Sequence, residues 1–358
     1  MNFIKQKTYQ EICILLFFYS FLLQIFLIPK LPAKYFYDST GILSICNDTY
    51  SRYFDSSYLF TGKFFRLINI FNIRTFSGWA YVLTFFSISI IVHHIYRYRK
   101  VDVGQLLYIV ATITFANIYI FRISKDFIQF IFWCLLYVII KLKISEKKKN
   151  VLIFSLFIFE AIFFRAYYII IGIAYFVLKF IIKKRKEKNI KISKLIVLIT
   201  IGIIVGLSLL NKVYPKGYND IVNLRYNINY DRLNSVDAVT AIIDVFPNKN
   251  ALMYVANYFI NLIRMLFPFE LCVKGVKYLP FVIYQVYFTI KLVHSLKSRD
   301  TNEKMMNLII MVTAYLLTSN LYEPDFGSVV RHETALMFIL FDIIMKKGES
   351  DEKYITKN

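Results

Sequence analysis

Five ionisable side chains, Glu323, Asp325, Arg331, His332 and Glu333, fall within the twelve residues from Tyr322 to Glu333, between two apolar runs. Pro324 and Gly327 interrupt that stretch; proline lacks a backbone N–H and glycine costs backbone entropy, so it reads as a bent, charged loop. Two further charged gaps, Arg122-Ile123-Ser124-Lys125-Asp126 and Glu160 to Arg165, also interrupt apolar sequence. Ionisable groups at membrane depth are costly and are functional candidates by default. An arginine there suits phosphate, because its guanidinium is planar, forked and permanently charged. A carboxylate or imidazole beside it suits proton transfer from a hydroxyl.

Each group also has a plainer reading. Ser124 and Asp126 fit a helix N-terminus, as hydroxyl cap and first-turn acid. Glu160 and Arg165 can pair with each other, Arg264 can anchor a lipid phosphate, and Arg331 and His332 can snorkel to an interface. Asp38, in Lys34-Tyr35-Phe36-Tyr37-Asp38-Ser39, can be an ordinary loop acid. No phosphate-binding loop, dinucleotide glycine motif or Asp-x-Asp pair is present. The four cysteines, Cys13, Cys46, Cys134 and Cys272, lack zinc-site spacing, and no metal or cofactor is expected.

Around these gaps the composition is that of a membrane protein. Hydrophobic residues make up 58% of the 358, aromatic residues 18%, and the mean hydropathy is +0.52. Lipid admits only helices or closed barrels, and the apolar runs have helical length. The expectation is an all-α, polytopic bundle of about ten spans with external interfacial helices, forming one integral membrane domain over residues 1–358. The run from Ile12 to Ile28 is too long for a signal-peptide core and lacks a small-residue cleavage site, so it reads as the first span. Later spans are expected at about 76–96, 104–121, 127–141, two short arms within 151–182, 195–211, 278–293, 305–319 and 334–345. Segments of about 31–75 and 212–277 are then external.

The net charge of +21 is not read as a nucleic-acid footprint, because lysine and arginine are densest in the loops assigned to the cytoplasm. That asymmetry sets both termini inside. Residues 251–267 are ambiguous. Asn257, Asn261 and Arg264 form a single polar stripe on an apolar helix, which suits an element lying in the interface rather than crossing.

Phe121-Arg122-Ile123-Ser124-Lys125-Asp126, Phe164-Arg165-Ala166-Tyr167-Tyr168, Arg264-Met265-Leu266-Phe267-Pro268-Phe269 and Pro324-Asp325-Phe326-Gly327-Ser328 with Arg331-His332 are found together in this chain. The combination resembles bacterial oligosaccharide repeat-unit polymerases, the Wzy-type proteins of capsule, exopolysaccharide and O-antigen loci. Their layout is similar to that of GT-C membrane glycosyltransferases.

The resemblance implies a bacterial cell-membrane enzyme that transfers a glycan from undecaprenyl diphosphate to a sugar hydroxyl of another lipid-linked unit. Its partners would be that lipid-linked oligosaccharide, the bilayer and other polysaccharide export proteins. An acid after the first span resembles the GT-C arrangement, so Asp38 is the first choice of base, followed by Asp126 and His332. Arg122, Lys125, Arg165, Tyr168, Arg264, Asp325 and Arg331 are the expected substrate-binding residues, with the four arginines converging on one diphosphate. A lipid-linked oligosaccharide flippase, a membrane O-acyltransferase using His332 and a non-catalytic export scaffold are the competing readings.

Overall fold

The computed structural model describes residues 4–50, 53–98, 101–188, 204–233, 239–297 and 302–345. Regular structure among them is helical, with one isolated antiparallel bridge between Ala241 and Asp325. The chain divides into two compact units. The first comprises Met1–Ile169, Ser295–Ile309 and Val330–Asn358, and the second Ile170–His294 and Ile310–Val329.

In the first unit, α1 (Gln6–Leu22) continues through a π turn and a 3-10 turn to Lys30, where Pro29 and Pro32 prevent further α-helix. Ser20 and Gln24 are buried, whereas Leu15, Phe18 and Phe26 are exposed. This inside-out pattern suits a lipid surround. The polar side is satisfied by α5 (Val103–Tyr119), where Asn117 donates to Ser20 Oγ (2.8 Å) and its Oδ1 accepts from Gln24 Nε2 (3.0 Å). Two short helices follow α1: α2 (Tyr37–Cys46) and α3 (Ser56–Leu67), the latter capped by Asp55. They meet at Gly62, where a Cβ would lie 2.6 Å from Ile45 Cβ, so only glycine permits this approach.

The helices α4 (Phe76–Ile95), α5 and α6 (Lys125–Lys141) are capped by Thr75, by an Asp102–Gln105 box and by Ser124. They surround α16 (Met337–Met345), all nine residues of which are buried. Asp342 on α16 accepts from Tyr98 (2.7 Å) and Tyr137 (3.0 Å) and pairs with Lys141 (2.6 Å), with His94 at 3.3 Å. A buried carboxylate thereby ties α16 to α4 and α6. The first unit also contains α7 (Glu146–Phe163) and the start of α8 (Tyr168–Lys188).

The second unit holds α9 (Ile204–Val213), α10 (Pro215–Leu233), α11 (Ala251–Leu266), α12 (Glu270–Lys274) and most of α8, α13 (Leu279–Lys297) and α14 (Glu303–Ser319). Residues 215–233, read from the sequence as polar loop, are the helix α10. The expected span at 195–211 lies partly outside the described residues.

Three described helices are long and apolar enough to cross a membrane: Gln6–Lys30, Phe76–Ile95 and Val276–Lys297. With 17 residues each, α5, α6 and α14 are about 25 Å long at ~1.5 Å per residue.

Two expectations are corrected. The stretch around Arg331 is not a bent loop: Phe326–Thr334 is the helix α15. Gly327 falls in its first turn, Pro324 precedes it, and Asp325 caps it, accepting from Ser328 N at 2.8 Å. Neither punctuating residue therefore sits in the helix interior. The polar stripe of α11 does not face an aqueous interface either. Asn257 and Asn261 are buried while Leu252 and Ile263 are exposed, because residues 243–248 fold over the stripe. Asn257 exchanges hydrogen bonds with the backbone of Phe246 (2.9 and 2.7 Å), and Asn261 donates to Asp244 (2.6 Å).

Candidate functional site

The first unit gathers ionisable groups from four chain segments around Asp126. Ser124 caps α6, its Oγ accepting from Phe127 N at 3.2 Å, and this fixes Asp126 in the first turn with its carboxylate pointing inward at 1% exposure. The plain capping reading of Ser124 is thus correct, and Asp126 has a further role. Its Oδ1 accepts from Arg165 Nη2 at 3.0 Å, and its Oδ2 from Arg331 Nε at 2.6 Å. His332 Nε2 lies 3.6 Å from the same Oδ1. A carboxylate this deeply buried persists as an anion only when paired and hydrogen-bonded, and two guanidiniums do both.

Arg331 also reaches a second acid. Its Nη2 donates to Asp38 Oδ2 at 3.1 Å, in the first turn of α2, and Tyr58 on α3 donates to Asp38 Oδ1. The Asp38 side chain retains 34% exposure. Burial alone raises its pKa, but the Tyr58 hydrogen bond and the charges of Arg331 and Lys125 outweigh that, so the carboxyl sits below the ordinary aspartate value. Asp38 is therefore a reachable anion. Asp126 is a sealed one.

Arg165, in the turn between α7 and α8, is saturated. Besides Asp126 it donates to Tyr167 Oη (2.9 Å) and lies 2.9 Å from His332 Nε2 through Nη1. With the Gln129 carboxamide oxygen turned toward it, Arg165 Nε and Nη1 and the Tyr168 hydroxyl (3.2 Å) also donate to that oxygen. An arginine can only donate, so where Arg165 Nη1 bonds His332, Nε2 is the acceptor. The pairing of Glu160 with Arg165 considered from the sequence is replaced by the pairing with Asp126; Glu160 is buried, and its Oε1 has no hydrogen-bond partner.

The other two cations are held differently. Lys125 Nζ sits 3.7 Å from the centroid of the Tyr58 ring. Arg122 is 4% exposed, packs over Phe36 at 5.2 Å, and has no hydrogen-bond partner for Nε or Nη1. Asp38, Arg122, Lys125, Asp126, Arg165, Tyr168, Arg331 and His332 thus belong to one unit and one neighbourhood.

Two expected site residues belong to the second unit. Arg264 forms a forked pair with Glu270 (2.6 and 2.9 Å) and donates to Ile243 O (2.6 Å) and Asn261 Oδ1 (3.0 Å). Asp325 is the cap of α15. Sequence reasoning passed over Tyr58 and Gln129, whose roles depend on contacts distant in the chain; Phe36 and Tyr167 were visible only as parts of quoted stretches.

Chemically, the arrangement places a cluster of guanidiniums, two of them paired with Asp126, beside one carboxylate that a hydroxyl-bearing substrate can approach. No protein-family model, curated protein or solved structure matches the chain.

Proposed function

We propose that this protein joins lipid-linked oligosaccharide repeat units into a polysaccharide, as a membrane glycosyltransferase acting at the external face of a bacterial cell membrane from a bundle of about ten spans. One observation carries the reading: Arg331 links the sealed Asp126 to the reachable Asp38, with Arg165 on the opposite oxygen of Asp126. Such a site combines cations for a diphosphate with a base for a hydroxyl.

In the reaction, a sugar hydroxyl of the acceptor unit gives its proton to Asp38 as its oxygen attacks the anomeric carbon of the donor. The bond from that carbon to the diphosphate oxygen breaks, and undecaprenyl diphosphate leaves with the electron pair. Guanidiniums offset the charge that develops on it. Asp126 is the counter-ion that holds Arg165 and Arg331 in register, a positioning role, since both of its oxygens already accept from arginine. His332 supports the same register through Arg165. This engagement of Nε2 disfavours an O-acyltransferase built on His332.

The test is to incubate the purified protein with an undecaprenyl-diphosphate-linked repeat unit and to separate the products by size. A ladder of lengthening glycans is expected, and Asp38→Asn should slow its growth ~10²-fold or more at normal expression. Failure of the unaltered protein to extend any lipid-linked glycan overturns the reading.

A further inference from the structure

The connection between α3 and α4 carries an apolar tip that the protein itself does not cover. Leu67 is 82% exposed, Ile70 81% and Phe71 70%, with Ile68 also exposed. Side chains of this size in water are a liability unless something apolar receives them. The tip is not slack chain. Asn69 clasps it, accepting from Ile73 N at 2.7 Å and donating to Ile73 O at 3.0 Å, while Asn72 N donates to Asn69 O at 3.2 Å. Asn72 takes a left-handed conformation (φ 50°), which asparagine tolerates better than most residues.

Charge surrounds the apolar tip. Lys63, Arg66 and Arg74 are all exposed around it. Arg66 pairs with Asp48 at 3.1 Å, both being largely exposed, and Arg74 Nε donates to Asn72 Oδ1 at 3.2 Å. Apolar side chains at a tip with a basic rim match the profile of a phospholipid leaflet, acyl chains within and phosphates around. The chain supplies the depth as well. Only Arg74 and Thr75 separate the turn from α4, one of the helices long and apolar enough to cross a membrane.

We infer that the turn Leu67–Ile73 is a membrane-docking wedge, seated in the headgroup layer of the leaflet where α4 begins and favouring anionic phospholipid. This rests on α4 crossing the membrane and not on the catalytic reading. Its consequence reaches the site through short links. Asn47 donates to Arg74 O at 2.9 Å and Asp48 pairs with Arg66, which fastens α2 to the wedge. Helix α2 carries Asp38, and α3 carries the Tyr58 that donates to it. The wedge therefore holds the hairpin bearing the reachable carboxylate against the leaflet.

The experiment uses the full chain in lipid nanodiscs with Cys272→Ser, which removes the exposed native thiol. One sample carries an environment-sensitive fluorophore at Ile70→Cys. The other carries it at Ser56→Cys, at the far end of α3, whose twelve residues span about 18 Å. In discs containing phosphatidylglycerol, the Ile70 label should shift to the blue and be quenched by lipids bearing a shallow doxyl group, and the Ser56 label should do neither. Adding Lys63→Gln and Arg74→Gln should reduce the quenching at position 70 to that measured in pure phosphatidylcholine. A water-like Ile70 label, quenched by iodide instead, overturns the wedge. A blue-shifted label insensitive to doxyl lipid overturns it in favour of burial against protein, and equal quenching in both lipids with and without the two basic residues overturns the anionic preference.

Discussion

Asp38 and Asp126 share Arg331, and their difference in burial separates what substitution at each should do. Asp126→Asn leaves Arg165 and Arg331 without their common anion in a mostly buried setting, so a stability loss of about 3–5 kcal/mol is expected, read as a lower unfolding temperature in detergent. Asp38→Asn, at a partly exposed carboxylate, should lower that temperature less than Asp126→Asn does and lower the rate by ~10²-fold or more, the scale of general base catalysis. Because Asp38 is held below the ordinary aspartate pKa, its contribution to stability is present above the unfolded-chain value and is lost as pH falls through the folded one. The acid limb of the kcat/KM profile should accordingly lie below the usual aspartate range. Arg331→Gln removes a charge that favours the carboxylate, so whatever activity remains should show that limb at higher pH. Arg331→Lys is a finer probe. Arg331 uses Nε for Asp126 and Nη2 for Asp38, two directions that a single ammonium does not span, so most activity should disappear while the protein still inserts into membranes.

At the scale of elements, α11 and α15 show how packing decides what a local pattern means. The stripe at Asn257 and Asn261 is amphipathic by any count, yet its polar side is covered by protein, while Leu252 and Ile263 are exposed and Val255 and Met265 are buried. Asn257→Leu would strand the amide and carbonyl of Phe246, at a cost of about 1–3 kcal/mol. A calorimetric scan should show the loss, and an unchanged transition would mean that residues 243–248 do not depend on this clasp. In α15, a proline before the helix and a glycine in its first turn are compatible with helix formation, because first-turn N–H groups have no intrahelical partner. Asp325 satisfies one of them, so Asp325→Ala should cost about 0.5–2 kcal/mol from loss of the cap.

For the whole molecule, the ten-span proposal requires both termini in the cytoplasm, and reporters fused after residue 358 should be active only there; an externally active fusion would count against it. The helical, membrane-type character was legible in composition and run length, because lipid leaves the backbone almost no alternative to helix. The Ser124 cap was legible too, since a cap bonds a neighbour three residues on. The partners of the arginines were not. Arg165 meets Asp126 across 39 residues and Arg331 meets Asp38 across 293, distances at which charge alone does not choose among several acids. Only the docking of α2, α6, α15 and the α7–α8 turn selected them. Likewise the sequence determined that α11 has two unlike faces, whereas the tertiary structure decided what covers the polar one: residues 243–248 supply the partners of Asn257 and Asn261, because buried amides require hydrogen bonds that no local pattern names.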